Sequence, residues 1–114
     1  IIIDAPCSGT GVLRRNPDIR HNRRESDLRK YAETQKSLLS SLWNLLKPGG
    51  ELVYITCSVL REENDAVIEH FRKQKPDCCP QTVKIHGSLE TEYGIQFLPN
   101  GEHDGLYYAL LKKT

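Results

Sequence analysis

The stretch IIIDAPCSGTG, at residues 1–11, places three isoleucines directly before an acid, a proline and a cysteine. A continuous run of β-branched apolar residues is typical of a strand that is buried on both faces of a parallel sheet. The proline and two glycines that follow are typical of a tight loop. The stretch therefore predicts a buried strand whose carboxyl end presents Asp4 and Cys7.

A second stretch, ELVYITCSV at residues 51–59, repeats this arrangement, with an apolar run that leads into Thr56, Cys57 and Ser58. Between the two stretches, apolar residues recur every three or four positions over residues 28–46, which predicts an amphipathic helix. The sequence KPGG at residues 47–50 ends that helix. A strand–helix–strand order implies parallel neighbouring strands. We therefore expect Cys7 and Cys57 to meet at one edge of a sheet.

The rest of the pattern predicts a second amphipathic helix and three more strands, which completes an α/β fold. The helix is expected at residues 61–74, and the strands at residues 82–85, 94–98 and 106–111. Cys78 and Cys79 lie in the loop-like segment KPDCCPQ and receive no predicted role.

Composition limits the class of protein. The 114 residues are 38% hydrophobic and 27% charged, with a net charge of only +1, which suits one globular domain or part of one. No segment is typical of a membrane span or a secretory signal, so we expect a cytoplasmic protein. The sequence holds no methionine and begins within a strand pattern. We therefore expect it to be part of a longer chain.

Two thiols beside a carboxylate suit addition to an electron-poor ring. A thiolate is a strong nucleophile, and its addition at C6 of cytosine makes C5 nucleophilic. A carboxyl near N3 can stabilise the charge that arrives on the ring. After an electrophilic methyl group adds at C5, loss of the C5 proton and elimination release the first cysteine. One thiol would attack and the other would assist release.

Three segments carry a family resemblance: DAPCSGTGVLRRNPDIR at residues 4–20, LKPGGELVYITCSVLREEN at 46–64 and QFLPNGEHDGLYYALLKK at 96–113. They resemble the RNA cytosine-5 methyltransferases of the Sun/Nop type, and among these the bacterial branch that acts on 16S ribosomal RNA. The resemblance implies the C-terminal half of a Rossmann-like, S-adenosylmethionine-dependent methyltransferase sheet, with parallel strands and a terminal antiparallel strand. Residues 1–114 would form the C-terminal portion of the catalytic domain, without the cofactor's glycine-rich loop or the N-terminal RNA-binding region.

The resemblance also implies roles for individual residues. Cys57 matches the family nucleophile and Cys7 the cysteine needed for product release. Asp4 matches the aspartate beside the methyl donor and the target base, and Pro6 the proline that shapes this corner. The implied reaction transfers a methyl group from S-adenosylmethionine to C5 of a cytosine in 16S ribosomal RNA. The chain by itself is expected to be inactive without the remaining N-terminal part of the enzyme.

Clustered arginines next to the first cysteine loop predict contacts with RNA phosphates. Arg14, Arg15 and Arg20 are the candidates. Neither a membrane nor a metal partner is expected. Two alternatives stay open, a nucleotide-binding Rossmann fragment that uses the loop at residues 8–11 and a non-catalytic RNA-binding module that uses only the arginines.

Overall fold

The computed structural model describes residues 1–12, 25–100 and 104–114 of the chain. The elements in chain order are β1 (Ile2–Asp4), α1 (Glu25–Trp43), β2 (Glu51–Thr56), α2 (Asp65–Gln74), β3 (Cys78–Gln81), β4 (Leu89–Glu90), β5 (Ile95–Phe97) and β6 (Leu106–Lys113). Two short 3₁₀ turns, Thr10–Val12 and Arg61–Glu63, lie in the segments after β1 and β2, shortly after Cys7 and Cys57.

The strands form one sheet in the order β1-β2-β6-β5-β4, with β3 also paired to β6. The strands β1 and β2 are parallel, as the strand–helix–strand order predicts, and Asp4 lies opposite Ile55. The terminal strand β6 runs antiparallel to β2, as the resemblance implies. The α/β fold class is confirmed, although among the described strands only β1 and β2 form a parallel pair. The strands β3, β4 and β5 follow without intervening helices, so their pairings are antiparallel.

Both helices pack on one face of the sheet and bury the apolar core. Residues opposite one another on β2 and β6 share a face, so Leu52 and Tyr54 stand beside Leu111 and Ala109. The rings of Trp43 on α1 and Phe71 on α2 meet edge to face, with centroids 5.2 Å apart. The fully or almost fully buried residues include Leu39, Trp43, Leu52, Tyr54, Val67, Ile68, Phe71, Tyr107, Ala109 and Leu111.

The opposite face of the sheet stays half-exposed. We call this surface the open sheet face and define it by Ile2, Val53, Ile55, Tyr108 and Leu110. Ile2 is 72% exposed. The strand β1 pairs with β2 and with no other strand in the described part of the chain. One edge and one face of this sheet therefore present apolar groups to the surroundings.

Two sequence predictions about the later elements are wrong in detail. The strand expected at residues 82–85 is absent, and the strand lies at Cys78–Gln81 instead, where β6 extends far enough to pair with it. Pro80 lacks an N–H donor, which an edge strand tolerates. The second helix starts at Asp65, since the backbone of Asn64 is non-helical and separates it from the 3₁₀ turn.

Among the described residues, no helix is long and apolar enough to cross a bilayer.

Candidate active site

The sulfurs of Cys7 and Cys57 lie 3.4 Å apart, within hydrogen-bond distance for sulfur. Each cysteine follows the carboxyl end of one of the two parallel strands, β1 and β2, so the sequence prediction that they meet at one edge is confirmed. Both thiols are partly exposed. A small group or a base edge can therefore reach this pair of sulfurs, which we call the thiol pair.

The protonation of Cys7 differs from that of an exposed cysteine. Burial raises the pKa of Cys7 to about 12, and the hydrogen bond with Cys57 adds to the effect. Cys7 is therefore a thiol at neutral pH. Its S–H can donate to the sulfur of Cys57 and stabilise negative charge there.

The loops that carry the thiols are joined through their backbones. The Gly11 N–H donates to the Cys57 carbonyl oxygen over 2.8 Å, and the Gly105 N–H donates to the Gly11 carbonyl oxygen over 2.8 Å. Within the first loop, Gly9 adopts a φ of 74°, which glycine accepts without strain. The segment that enters β6 therefore contacts the first loop, which in turn contacts the second.

Gly11 has no space for a side chain. A Cβ there would overlap the Gly105 carbonyl oxygen and lie 2.8 Å from the Cys57 carbonyl oxygen. The space beside Gly11 is filled by the protein's own backbone.

We expect Gly11→Ala to lower the free energy of unfolding by about 2 kcal/mol or more, because the new methyl group pushes two backbones apart. Chemical denaturation measures this change. Gly49→Ala is the control, since Gly49 has a positive φ but nothing within 4 Å of a Cβ. Both variants should lose stability, but only Gly11→Ala should separate the thiols. A Gly11→Ala protein as stable as the parent would contradict the backbone contact.

Glu63 connects the two loops through side chains. Its carboxylate accepts hydrogen bonds from the Ser8 N–H and the Ser8 hydroxyl, each 2.7 Å long, and from the Ser58 hydroxyl. Ser8 follows Cys7 and Ser58 follows Cys57, so one buried carboxylate fixes both residues next to the thiols. The Tyr54 hydroxyl donates to the Glu63 carbonyl oxygen over 2.6 Å and holds the backbone at this point.

Asn64 extends the network behind the second loop. Its side-chain oxygen accepts a 2.6 Å hydrogen bond from the Thr56 hydroxyl. Its side-chain nitrogen donates to the Ser58 carbonyl oxygen and to the side-chain oxygen of Gln96. All four residues are buried, so the polar groups satisfy one another in place of water. The Thr56–Ser58 segment is therefore held from behind as well as from the first loop.

Asp4 and Pro6 lie on the exposed rim before Cys7. No residue in the described part of the chain hydrogen-bonds the Asp4 carboxylate, which is therefore available to a bound group. The Pro6 carbonyl oxygen accepts a 2.8 Å hydrogen bond from the side chain of Gln35 on α1. The other side-chain atom of Gln35, its oxygen, is buried without a hydrogen-bond partner in the described structure. Gln35 thus ties the first loop to α1.

A family model described as 16S rRNA methyltransferase RsmB/F matches residues 1–112 of the chain. The chain belongs to this family. It is 46% identical to the probable ribosomal RNA small subunit methyltransferase B of Coxiella burnetii, an alignment that covers 100% of this chain and 27% of that protein. The chain therefore spans about a quarter of the length of this curated relative.

Solved structures agree with this assignment. The crystal structure of PH0851 superposes with a TM-score of 0.92 at 34% identity, over 98% of this chain and 26% of that chain. NSun6 from Pyrococcus horikoshii, solved with SFG, superposes with a TM-score of 0.82 at 27% identity, over 99% of this chain and 29% of that chain. The Rossmann-like methyltransferase fold that the resemblance implied is thus confirmed for this member of the RsmB/F family.

The RsmB/F segment also contains site residues that sequence analysis missed. Both Glu63 and Gln35 fall within the helices that the sequence predicts and receive no role there, yet both are buried: Glu63 connects the two loops, and Gln35 ties the first loop to α1. The one feature of the sequence that could have indicated this network is Glu63 followed by Asn64, shortly after Ser58. Their inward orientation depends on the break at Asn64, which residue pattern alone does not predict.

Some predicted residues cannot be placed. Arg14, Arg15 and Arg20 lie outside the described residues, so their contact with RNA stays a prediction. Cys78 and Cys79 lie on the strand β3, where the sequence predicted a loop. Within residues 1–12, 25–100 and 104–114, no three histidine, cysteine or acidic side chains form a group that could hold a metal ion.

Proposed function

We propose that this chain is the C-terminal portion of the catalytic domain of an RNA methyltransferase that modifies C5 of a cytosine in 16S ribosomal RNA. The observation that carries the proposal is the thiol pair, two partly exposed sulfurs 3.4 Å apart at the ends of parallel strands. Membership of the RsmB/F family supports the ribosomal RNA substrate. A cytoplasmic location follows from that substrate.

In this proposal Cys57 is the nucleophile. Its thiolate adds to C6 of the cytosine, and a new S–C bond forms while electron density moves to the ring. The carboxyl group of Asp4, exposed on the same rim, acts as the acid that supplies a proton at N3 as negative charge arrives on the ring. The adduct makes C5 a nucleophile toward an electrophilic methyl group.

Release depends on Cys7. After methyl transfer, a base removes the proton from C5 and the S–C6 bond breaks, which returns the electron pair to the sulfur of Cys57. The S–H of Cys7 lies within hydrogen-bond distance of that sulfur and stabilises it as it leaves. The raised pKa of Cys7 supports this role, because the proton is present at neutral pH.

S-adenosylmethionine, when bound, supplies the electrophilic methyl group. Asp4 and Pro6 fit one wall of its site, since both are exposed beside the thiol pair and the Asp4 carboxylate has no hydrogen-bond partner among the described residues. SFG in the NSun6 structure is an analogue of this donor, which supports the same choice here. The wall opposite Asp4 must come from another part of the enzyme.

The remaining N-terminal part of the enzyme is the proposed partner of the open sheet face. The apolar side chain of Ile2 is 72% exposed at the unpaired edge of β1, and the relatives are about four times as long as this chain. A preceding strand and helix would bury these groups. We therefore expect the 114-residue chain alone to be inactive, and the experiments below use the full-length protein.

The alternative of a phosphate-binding loop finds no support in the hydrogen bonds of residues 8–11. The Ser8 N–H donates to Glu63 and the Gly11 N–H donates to Cys57. A loop that cradles phosphate needs such N–H groups for the ligand.

We expect Cys7→Ala to accumulate a covalent protein–RNA adduct in the presence of substrate RNA and S-adenosylmethionine, because elimination of Cys57 loses its proton donor. Denaturing gels measure the adduct as a slower band that ribonuclease removes. The double variant Cys7→Ala/Cys57→Ala is the control and should form no adduct. An adduct that persists in the double variant, or none in Cys7→Ala, would refute the assigned roles.

A further inference from the structure

We propose that the thiol pair is also a site of reversible modification, in which Cys7 and Cys57 form a disulfide when the protein meets a peroxide. The bond itself rests only on the geometry of the two loops. Loss of methyl transfer on oxidation rests in addition on the proposed function, because the disulfide removes the nucleophile.

The sulfurs are close enough for this bond. Their separation of 3.4 Å must close to about 2 Å, the length of a disulfide. The cysteines are 50 positions apart in sequence, yet several hydrogen bonds between their loops keep them together. The Gly11 N–H donates to Cys57, the Val59 N–H donates to Thr10 over 3.0 Å, and Glu63 accepts from Ser8 and Ser58. Oxidation therefore requires no large rearrangement of the loops.

The chemistry balances with one peroxide. The Cys57 thiol first loses its proton, and the resulting thiolate attacks a peroxide oxygen. The O–O bond breaks and the sulfur becomes a sulfenic acid. The leaving hydroxide takes up the proton that Cys57 released and forms water. The sulfur of Cys7 then attacks the sulfur of Cys57. The S–S bond forms, the S–O bond breaks, and the leaving hydroxide takes the Cys7 proton as a second water. The two sulfurs together lose two electrons, and the peroxide gains them.

The two thiols have different roles in this sequence. Burial raises the pKa of Cys7 to about 12, so Cys7 keeps its proton and Cys57 is the sulfur that meets the oxidant first. Cys7 then resolves the sulfenic acid before a second peroxide reaches it. Thiol reductants reverse the disulfide by exchange, whereas a sulfinic acid persists.

The other cysteines provide an internal comparison. Cys78 and Cys79 are adjacent in sequence, but Cys78 is buried and Cys79 is exposed, as expected of neighbours on a strand, whose side chains point to opposite faces. Burial raises the pKa of Cys78 to about 11. We therefore expect these two cysteines to stay unlinked under the same conditions.

The test treats the reduced full-length protein with stoichiometric hydrogen peroxide, blocks the remaining thiols, digests the protein and measures peptide masses. We expect a peptide pair linked through Cys7 and Cys57 with the loss of two hydrogens, in the parent and in Cys79→Ser. In Cys7→Ala and in Cys7→Ser, a second equivalent of peroxide should convert the sulfenic acid of Cys57 to the sulfinic acid, which the parent should not form under the same treatment. Oxidised Cys57 beside an unmodified Cys7 in the parent would overturn the proposal.

Methyl transfer is followed in the same samples. We expect activity to fall in proportion to the linked peptide and to return on treatment with dithiothreitol. A linked peptide with unchanged activity would leave the disulfide in place and overturn the proposed role of Cys57. Lost activity without a linked peptide would overturn the disulfide alone.

Discussion

Cys57→Ala is expected to lower the rate of methyl transfer by on the order of 10⁴-fold or more, as loss of a covalent nucleophile does. Without a sulfur at this position the attack on C6 loses its nucleophile, because the neighbouring Cys7 keeps its proton at neutral pH, and C5 stays a poor nucleophile. The loss should appear in kcat, because the substitution leaves the rim at Asp4 unchanged. Transfer of a radiolabelled methyl group to 16S ribosomal RNA measures the effect.

Cys79→Ala is the matched control for this substitution. Cys79 is exposed on β3, whereas the two cysteines of the thiol pair follow β1 and β2. This variant should methylate at the parent rate. Turnover by Cys57→Ala within about tenfold of the parent, which corresponds to a barrier change of only 1.4 kcal/mol, would show that another group attacks the ring.

Glu63→Ala is expected to lower the free energy of unfolding by about 4 kcal/mol, because three buried donors lose their common acceptor and each unsatisfied buried group costs about 1–3 kcal/mol. The donors are the Ser8 N–H and the hydroxyl groups of Ser8 and Ser58. The two loops would also lose the connection that runs through Glu63. Chemical denaturation measures the stability of the full-length variant, and the yield of the peroxide-linked peptide reports the distance between the thiols.

Two further variants test whether the effect comes from the hydrogen bonds of Glu63 or from the loss of a negative charge. Glu62→Ala removes an exposed neighbour of the same chemistry and should leave both stability and the linked peptide unchanged. Glu63→Gln keeps the volume and one oxygen acceptor, so it should lose less stability than Glu63→Ala and still show a lower yield of linked peptide. Parent-like behaviour of Glu63→Ala in both measurements would rule out the carboxylate as the connection between the loops.

The strand–helix–strand core was predictable because its signals are local. The apolar runs before Asp4 and before Cys57 predicted both parallel strands, and the apolar periodicity predicted the helix between them. The later strands were less predictable, since their positions depend on pairing with β6. Cys78–Gln81 holds a proline and reads as a loop, yet it pairs as an edge strand because β6 extends to Lys113.

The site was predictable in part for the same reason. Cys7 and Cys57 follow strands whose parallel pairing brings their ends together, so their meeting follows from topology. The roles of Glu63 and Gln35 do not, because they depend on which way a buried polar side chain turns. That direction is fixed by hydrogen-bond partners from distant segments, such as Ser8 for Glu63.

The contact among Gly11, Cys57 and Gly105 joins three segments through main-chain atoms alone. Exposed side chains around this contact, outside the Glu63 network, can therefore be exchanged during evolution without moving the sulfurs, as long as both glycines remain. We expect relatives that select different RNA sequences to vary the surface around the rim while they keep this backbone contact. The same reaction could thus be retained while the choice of target nucleotide diverged.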